Sequence, residues 1–203
     1  MIIFFFIISS LIVFIVLFFR LKSFGGTVKG ERLIRIRQSP NYQNGAFHYP
    51  VKTLLIQGVG NHFEVLKKFL KKDTNKQPNS PVPTIKTNLK ILPTTEITVV
   101  WFGHSSYFLQ INNVKMLVDP VLSERISPVT FAGTKSYLGT QLYTFDDIPE
   151  LDCILLTHDH YDHLDYQTIV MLNSKTTKFY TSLGVGVHLE HWGIEADKIH
   201  EFD

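Results

Sequence analysis

From Thr157 to Asp165 the chain reads THDHYDHLD, and the eight positions 158–165 hold three histidines and three aspartates. The whole sequence has nine histidines, so a third of them fall in one loop-sized stretch. Imidazole nitrogen and carboxylate oxygen are donors that zinc accepts at about 2.0–2.2 Å. His158, His160, Asp162 and His163 follow the spacing H-x-H-x-D-H directly after an apolar run, CILL, and Thr157. A buried strand that gives way to a loop can turn such side chains towards one point. Left without a cation, the three imidazoles and three carboxylates would be desolvated beside that strand, and the carboxylates would repel one another. The cluster therefore reads as a metal site.

Four ligands within six residues do not converge on one ion without strain, so the spacing predicts two metals, each taking one pair. A two-metal centre holds a bridging water, lowers its pKa towards neutrality and polarises the carbonyl or phosphoryl oxygen under attack. The chemistry this predicts is hydrolysis. Zinc is the expected ion, with iron or manganese compatible with the same donors. His48, His62, His188, His191 and His200 read as ordinary hydrogen-bonding residues. Cys153 is the only cysteine, which excludes an internal disulfide and reads as a small buried strand residue.

The elements that must position the cluster begin near residue 96. Strand-like runs cover 97–103, 106–111 and 114–119, with Asn112-Asn113 as a tight turn between the last two. A fully apolar strand over 152–157 delivers the cluster, a helix over 166–173 follows, and a strand at 178–181 precedes a short helix within 184–194. Strands followed by helices predict a layered α+β domain over 96–203. Residues 23–95 read as a connector, within which VLKKFLKK, 65–72, has helical spacing and a solvated lysine face. At its start the chain differs in kind. Residues 2–19 carry no charge and only two serines, which predicts a membrane helix within an anchor over 1–22. Arg20, Lys22, Lys29, Arg32, Arg35 and Arg37 follow that run and no Lys or Arg precedes it, so the rest of the chain is expected on the cytoplasmic side. With 203 residues, 44% hydrophobic, 19% charged and a net charge of +2, the chain is that of a folded protein, and nucleic acid is not an expected partner.

At the histidine cluster the sequence resembles the metallo-β-lactamase superfamily, whose hallmark is H-x-H-x-D-H after a core strand. WFGHSS (101–106), LVDPVLSERISPVTFAG (117–133), DDIPELDCILLTHDHYDHLD (146–165) and WGIEADKIHEFD (192–203) look like the branch containing N-acyl-phosphatidylethanolamine-hydrolysing phospholipase D and related bacterial hydrolases. SPNYQNGAFHYP (39–50) is also similar to that branch, so the resemblance covers residues 31–203 and leaves the anchor outside.

The resemblance implies an αβ/βα sandwich. It implies that His158 and His160 bind a first zinc and Asp162 and His163 a second, and that Asp162 also orients the bridging hydroxide. Asp119 would be a carboxylate behind the ligands or a strand-end cap, His104 would approach from a strand end, and Asp165 would accept the second N–H of a ligand imidazole. Tyr161 and Asp159 read as loop packing and helix capping. Superfamily members complete their centre with a further histidine, a bridging aspartate and a last histidine far downstream. The chain is accordingly read as the N-terminal portion of a longer protein, holding the first half of the sandwich and of the site, and inactive in isolation. The implied substrate is a phosphodiester such as an N-acyl phospholipid, met at the membrane. Two other readings fit the same residues: a hydrolase of a lactone or ester of a soluble metabolite, and a non-catalytic membrane-tethered remnant.

Overall fold

From residue 98 onward the alternating and apolar runs form one six-stranded mixed sheet in the computed structural model, which describes residues 2–49, 51, 67, 71 and 77–203. Its strands are β1 (Thr98–Gly103), β2 (Ser106–Ile111), β3 (Val114–Val118), β4 (Leu151–Leu156), β5 (Thr176–Ser182) and β6 (Ile199–Phe202). They lie side by side in chain order. β2 runs antiparallel to both β1 and β3, while β3, β4, β5 and β6 pair in parallel. It follows that every strand except β2 points the same way, and the C-terminal ends of β1, β3, β4 and β5 share one edge. The β2–β3 turn is the predicted Asn112-Asn113 pair, with φ of 46° and 69°, left-handed at both central residues as a two-residue hairpin requires.

Among the described residues four α-helices accompany the sheet: α1 (Ile2–Phe18), α2 (Gly30–Gln38), α3 (Tyr166–Leu172) and α4 (Gly186–Trp192). Ile169, Leu172, Leu189 and Trp192 from α3 and α4 close over Phe108, Leu117, Ile154, Leu156 and Phe179 of the sheet to make the core. α4 stops at Gly193, whose φ of 98° lets Ile194 N–H reach back to Leu189 O at 3.0 Å. By register, Val99, Trp101, Tyr107, Leu109, Met116 and Leu155 face the other way. That second face is apolar and partly open, with Trp101 69% exposed.

Two sequence expectations change here. The first part of the connector, polar and turn-rich in sequence, contains α2, which is clamped to the domain. Arg32 Nε meets Glu201 Oε1 at 2.9 Å, Arg32 Nη2 meets Glu190 Oε1 at 2.7 Å, and Arg35 Nη1 meets Glu201 Oε2 at 3.1 Å. Glu201, buried on β6, also accepts the N–H groups of Gly184 and Gly186 at 3.1 and 2.9 Å. The second change concerns the predicted membrane span. The apolar run does form a helix, exposed along its length, but α1 is 17 residues long, about 25 Å at 1.5 Å per residue against a hydrocarbon core of about 30 Å. Among the described residues no helix is long and apolar enough to cross a membrane. The helical bonding tightens where the apolar run ends: Arg20 N–H turns to Leu17 O at 3.1 Å and Leu21 N–H to Phe18 O at 3.2 Å. The lysine-faced helix expected over 65–72 lies, apart from Lys67 and Lys71, outside the described residues.

Candidate metal centre

Because β1, β3 and β4 end at one edge of the sheet, the residues just past them meet there. His104 follows β1, Asp119 follows β3, and Thr157 opens the loop after β4. His104 and Asp119 both hold left-handed backbone, with φ of 47° and 42°. Such a conformation in a residue with a Cβ costs of order 1–3 kcal/mol and persists where surrounding bonds over-determine it. For Asp119, which is 1% exposed, those bonds are explicit. Its Oδ1 accepts Thr157 N–H at 2.8 Å, and its Oδ2 accepts the Thr157 hydroxyl at 2.7 Å and faces His163 Nδ1 at 2.7 Å. Its carbonyl accepts the Ser106 hydroxyl at 2.5 Å, which ties the end of β3 to the start of β2.

A carboxylate can only accept, so the contact with Asp119 places the His163 proton on Nδ1 and leaves the Nε2 lone pair free. Nε2 is turned to Asp162 Oδ2 at 3.8 Å, and Asp162 Oδ2 in turn meets His104 Nε2 at 3.1 Å. One ligand atom each from His104, Asp162 and His163 lie within 4.8 Å of one another. Donors around a tetrahedral zinc at about 2.1 Å stand about 3.4 Å apart, a spacing that the two measured separations bracket. His158 lies against His163 with ring centres 3.8 Å apart and planes tilted by 46°, and the His160 ring lies 4.7 Å from that of His158. All four residues of the H-x-H-x-D-H stretch are therefore gathered at the sheet edge. His158 lies nearer to His163 than to His160, and the ligand atoms that converge most closely are those of His104, Asp162 and His163.

The protonation states suit metal binding. Burial, aided by the neighbouring His163 and His160, pushes the His158 pKa down, which favours the neutral imidazole that ligates. Burial alone would raise the Asp162 carboxyl, but its own backbone N–H, His163 and His104 outweigh this and hold it below the usual carboxylate range. The Asp159 carboxyl is also held low, chiefly by His188 and against the effect of burial. Beside the cluster lies a cavity of about 460 Å³. Asp159, His160 and Asp162 are among its polar lining residues and Phe24, Leu164 and Trp192 among its apolar ones.

Among the residues singled out from the sequence, Asp119 both orients a histidine and caps a strand end. His104 reaches the ligand cluster itself. Asp165 is used differently from the role the resemblance implies: buried at the start of α3, it accepts the Thr168 hydroxyl and the Ser123 N–H, the latter at 3.2 Å. It thereby pins the segment after β3 to α3. Thr157, Ser105 and His188 were not anticipated. Ser105 Oγ lies 3.1 Å from His163 Nδ1, and Thr157 Oγ1 lies 3.0 Å from His158 Nδ1. A hydroxyl residue next to a histidine, as in GHSS and LLTH, is the signal that could have marked Ser105 and Thr157, whereas nothing in the local sequence marks His188.

Residues 115–203 match the beta-lactamase superfamily domain. An uncharacterized protein of Mycobacterium tuberculosis is 33% identical over 168 residues, covering 82% of this chain and 45% of that protein. The N-acyl-phosphatidylethanolamine-hydrolyzing phospholipase D 1 of Caenorhabditis elegans is 34% identical over 99 residues, 48% of this chain and 28% of the other. A metal-dependent hydrolase of Pyrobaculum islandicum is 38% identical over 64 residues, 32% of this chain and 23% of the other. The chain thus spans less than half the length of these relatives. The sheet and the histidine cluster are in keeping with the similarity of residues 115–203 to the beta-lactamase superfamily domain.

Proposed function

We propose that the chain carries part of the centre of a zinc hydrolase that cleaves a phosphodiester, such as that of an N-acyl phospholipid. The observation that carries the reading is the approach of His104, Asp162 and His163 to within 4.8 Å, with Asp119 fixing the His163 ring. Carboxylate–histidine support of this kind is how metal-binding imidazoles are held in one tautomer and orientation. In this reading His158 and His160 hold one ion, and Asp162 and His163 the other with His104 beside them. Bound zinc supplies Lewis-acid polarisation of the phosphoryl oxygen and activation of water. The chain's own contributions are distinct. Asp119 keeps the proton on His163 Nδ1, the ionised Asp162 carboxylate offers Oδ2 beside His104 Nε2 and His163 Nε2, and Phe24, Leu164 and Trp192 give the cavity an apolar lining. A volume of about 460 Å³ is within the range of small-molecule sites and suits part of a lipid. The similarity to the worm phospholipase supports the phosphodiester, and α1, apolar on every face and exposed, supports a lipid surface as partner.

The test is a zinc titration of the full chain against a chromophoric chelator, with thermal unfolding in parallel. Zinc at a hundredfold excess over its Kd stabilises by about 2.7 kcal/mol, an increment that His158→Ala and Asp162→Ala should remove. Loaded protein is then offered a simple phosphodiester, a lactone and N-acyl phospholipid vesicles. No zinc binding by the wild type would sink the metal reading, and zinc binding with turnover of the lactone alone would sink the phosphodiester.

A further inference from the structure

We infer that His188 is a positioning residue that ties the metal-ligand loop to the turn following α1. This rests on the reading of the His158–His163 loop as a metal site and goes beyond it, because His188 lies on α4, outside the motif.

The chain after α1 folds into a short turn, Lys22–Phe24, and runs across α4. Trp192 Nε1–H donates to Lys22 O at 2.8 Å, and Gly26 N–H donates to His188 Nδ1 at 3.1 Å. Two consecutive glycines make this approach feasible. A Cβ on Gly25 would lie 1.9 Å from His188 Nδ1, and one on Gly26 would lie 2.6 Å from Val187 O. No other residue type leaves the backbone room to lie against the ring. Since Nδ1 accepts, the ring proton sits on Nε2. That nitrogen faces Asp159 Oδ2 at 3.8 Å, within ion-pair range and longer than a direct hydrogen bond. Asp159 stands between His158 and His160, so holding its carboxylate favours one placement of the backbone segment that carries both imidazoles. Ser23, Phe24, Asp159 and His188 all line the same cavity. A single ring thus joins three parts of the molecule that lie far apart in sequence: Gly26, the ligand loop and α4.

A merely structural His188 would affect stability alone, whereas a positioning His188 acts on metal affinity and has a fixed tautomer. The experiment uses the full chain with zinc as ligand. It compares wild type, His188→Leu, His188→Gln and Gly25→Ala by zinc competition titration and by unfolding without zinc, and reads the His188 tautomer from ring 15N shifts. Wild type should show the Nε2–H tautomer. His188→Leu and Gly25→Ala should bind zinc about tenfold more weakly, and His188→Gln, which can both accept and donate, should stay within about threefold of wild type. Unchanged affinity in His188→Leu, or an Nδ1–H tautomer in wild type, overturns the inference and leaves the metal centre standing. Absence of zinc binding in wild type overturns both. Should His188→Leu fail to fold, two readouts remain decisive: the zinc affinity of Gly25→Ala, which keeps the imidazole but displaces it, and the wild-type tautomer.

Discussion

Replacing Asp119 by asparagine would change one functional group and almost no volume at the residue on which the site's geometry turns. The side-chain oxygen must stay opposite Thr157 N–H, now 2.8 Å from Oδ1, because that N–H can only donate. The amide nitrogen then takes the place of Oδ2, 2.7 Å from both the Thr157 hydroxyl and His163 Nδ1. The hydroxyl can turn round and accept. The His163 ring cannot keep a proton on Nδ1 facing an NH2 group, so it adopts the Nε2–H tautomer, and the lone pair directed at Asp162 is lost. Loss of such a supporting carboxylate weakens metal binding about 10- to 100-fold, equivalent to about 1.4–2.7 kcal/mol. Without metal, the exchange of charge-assisted for neutral hydrogen bonds lowers stability by about 1–3 kcal/mol. Zinc competition titration and urea unfolding of the metal-free chain separate the two effects. Zinc affinity equal to wild type in a folded Asp119→Asn protein would refute the reasoning, as would a loss of affinity unaccompanied by a change of the His163 tautomer.

Three further outcomes follow from the same structure. Glu201→Gln leaves Arg32 its second carboxylate partner, Glu190 at 2.7 Å, and should cost about 1–3 kcal/mol in urea unfolding, since the buried charge-assisted bonds of Glu201 to Arg32 and Arg35 become neutral ones. Lys86, bonded at 2.7 Å, and then the Thr144 N–H hold the Asp147 carboxyl at about 2. Because the folded-state value lies below the unfolded value of about 3.9, this pair's contribution is complete above about pH 4 and lost as the pH falls through about 2. A urea-midpoint series over that window should show a shallower loss in Lys86→Ala. His104→Asn should leave stability within about 1 kcal/mol of wild type or raise it, as Asn tolerates φ of 47° and only an exposed ion pair is lost, while zinc affinity falls.

The parts of the fold legible in the sequence were those written in local spacing. Apolar alternation over 98–118 gave three strands and their asparagine turn, the CILL run gave β4, and H-x-H-x-D-H gave the cluster. What escaped depended on register and on distant partners. His104 stands 58 residues before Asp162, and only the parallel direction of β1 and β4 brings their ends to one edge. The arginines of α2 looked like flanking charge of an anchor because Glu190 and Glu201 lie some 160 residues further on. Composition located the apolar run of α1 but not the point at which its last helical bond forms. Asp165 and Asp119 are alike in sequence, each an aspartate at the end of an element. Tertiary contacts alone assign the first to Thr168 and the second to His163.

The two strained residues bear on why the site sits at this edge. A glycine at 104 or 119 would relax the backbone by of order 1–3 kcal/mol and would serve the turn equally well. It would also delete the side chain. At 119 the carboxylate's three hydrogen bonds offset the strain, so its presence is explained without function. His104 has no such compensation. It is exposed, and its ring contacts only Asp162 and His163 among the described residues, pairings that in water are worth little. A bulky residue kept in a left-handed conformation for so small a return is accounted for if its Nε2 has a further partner. The space between Nε2, Asp162 Oδ2 and His163 Nε2 is where a cation would supply one.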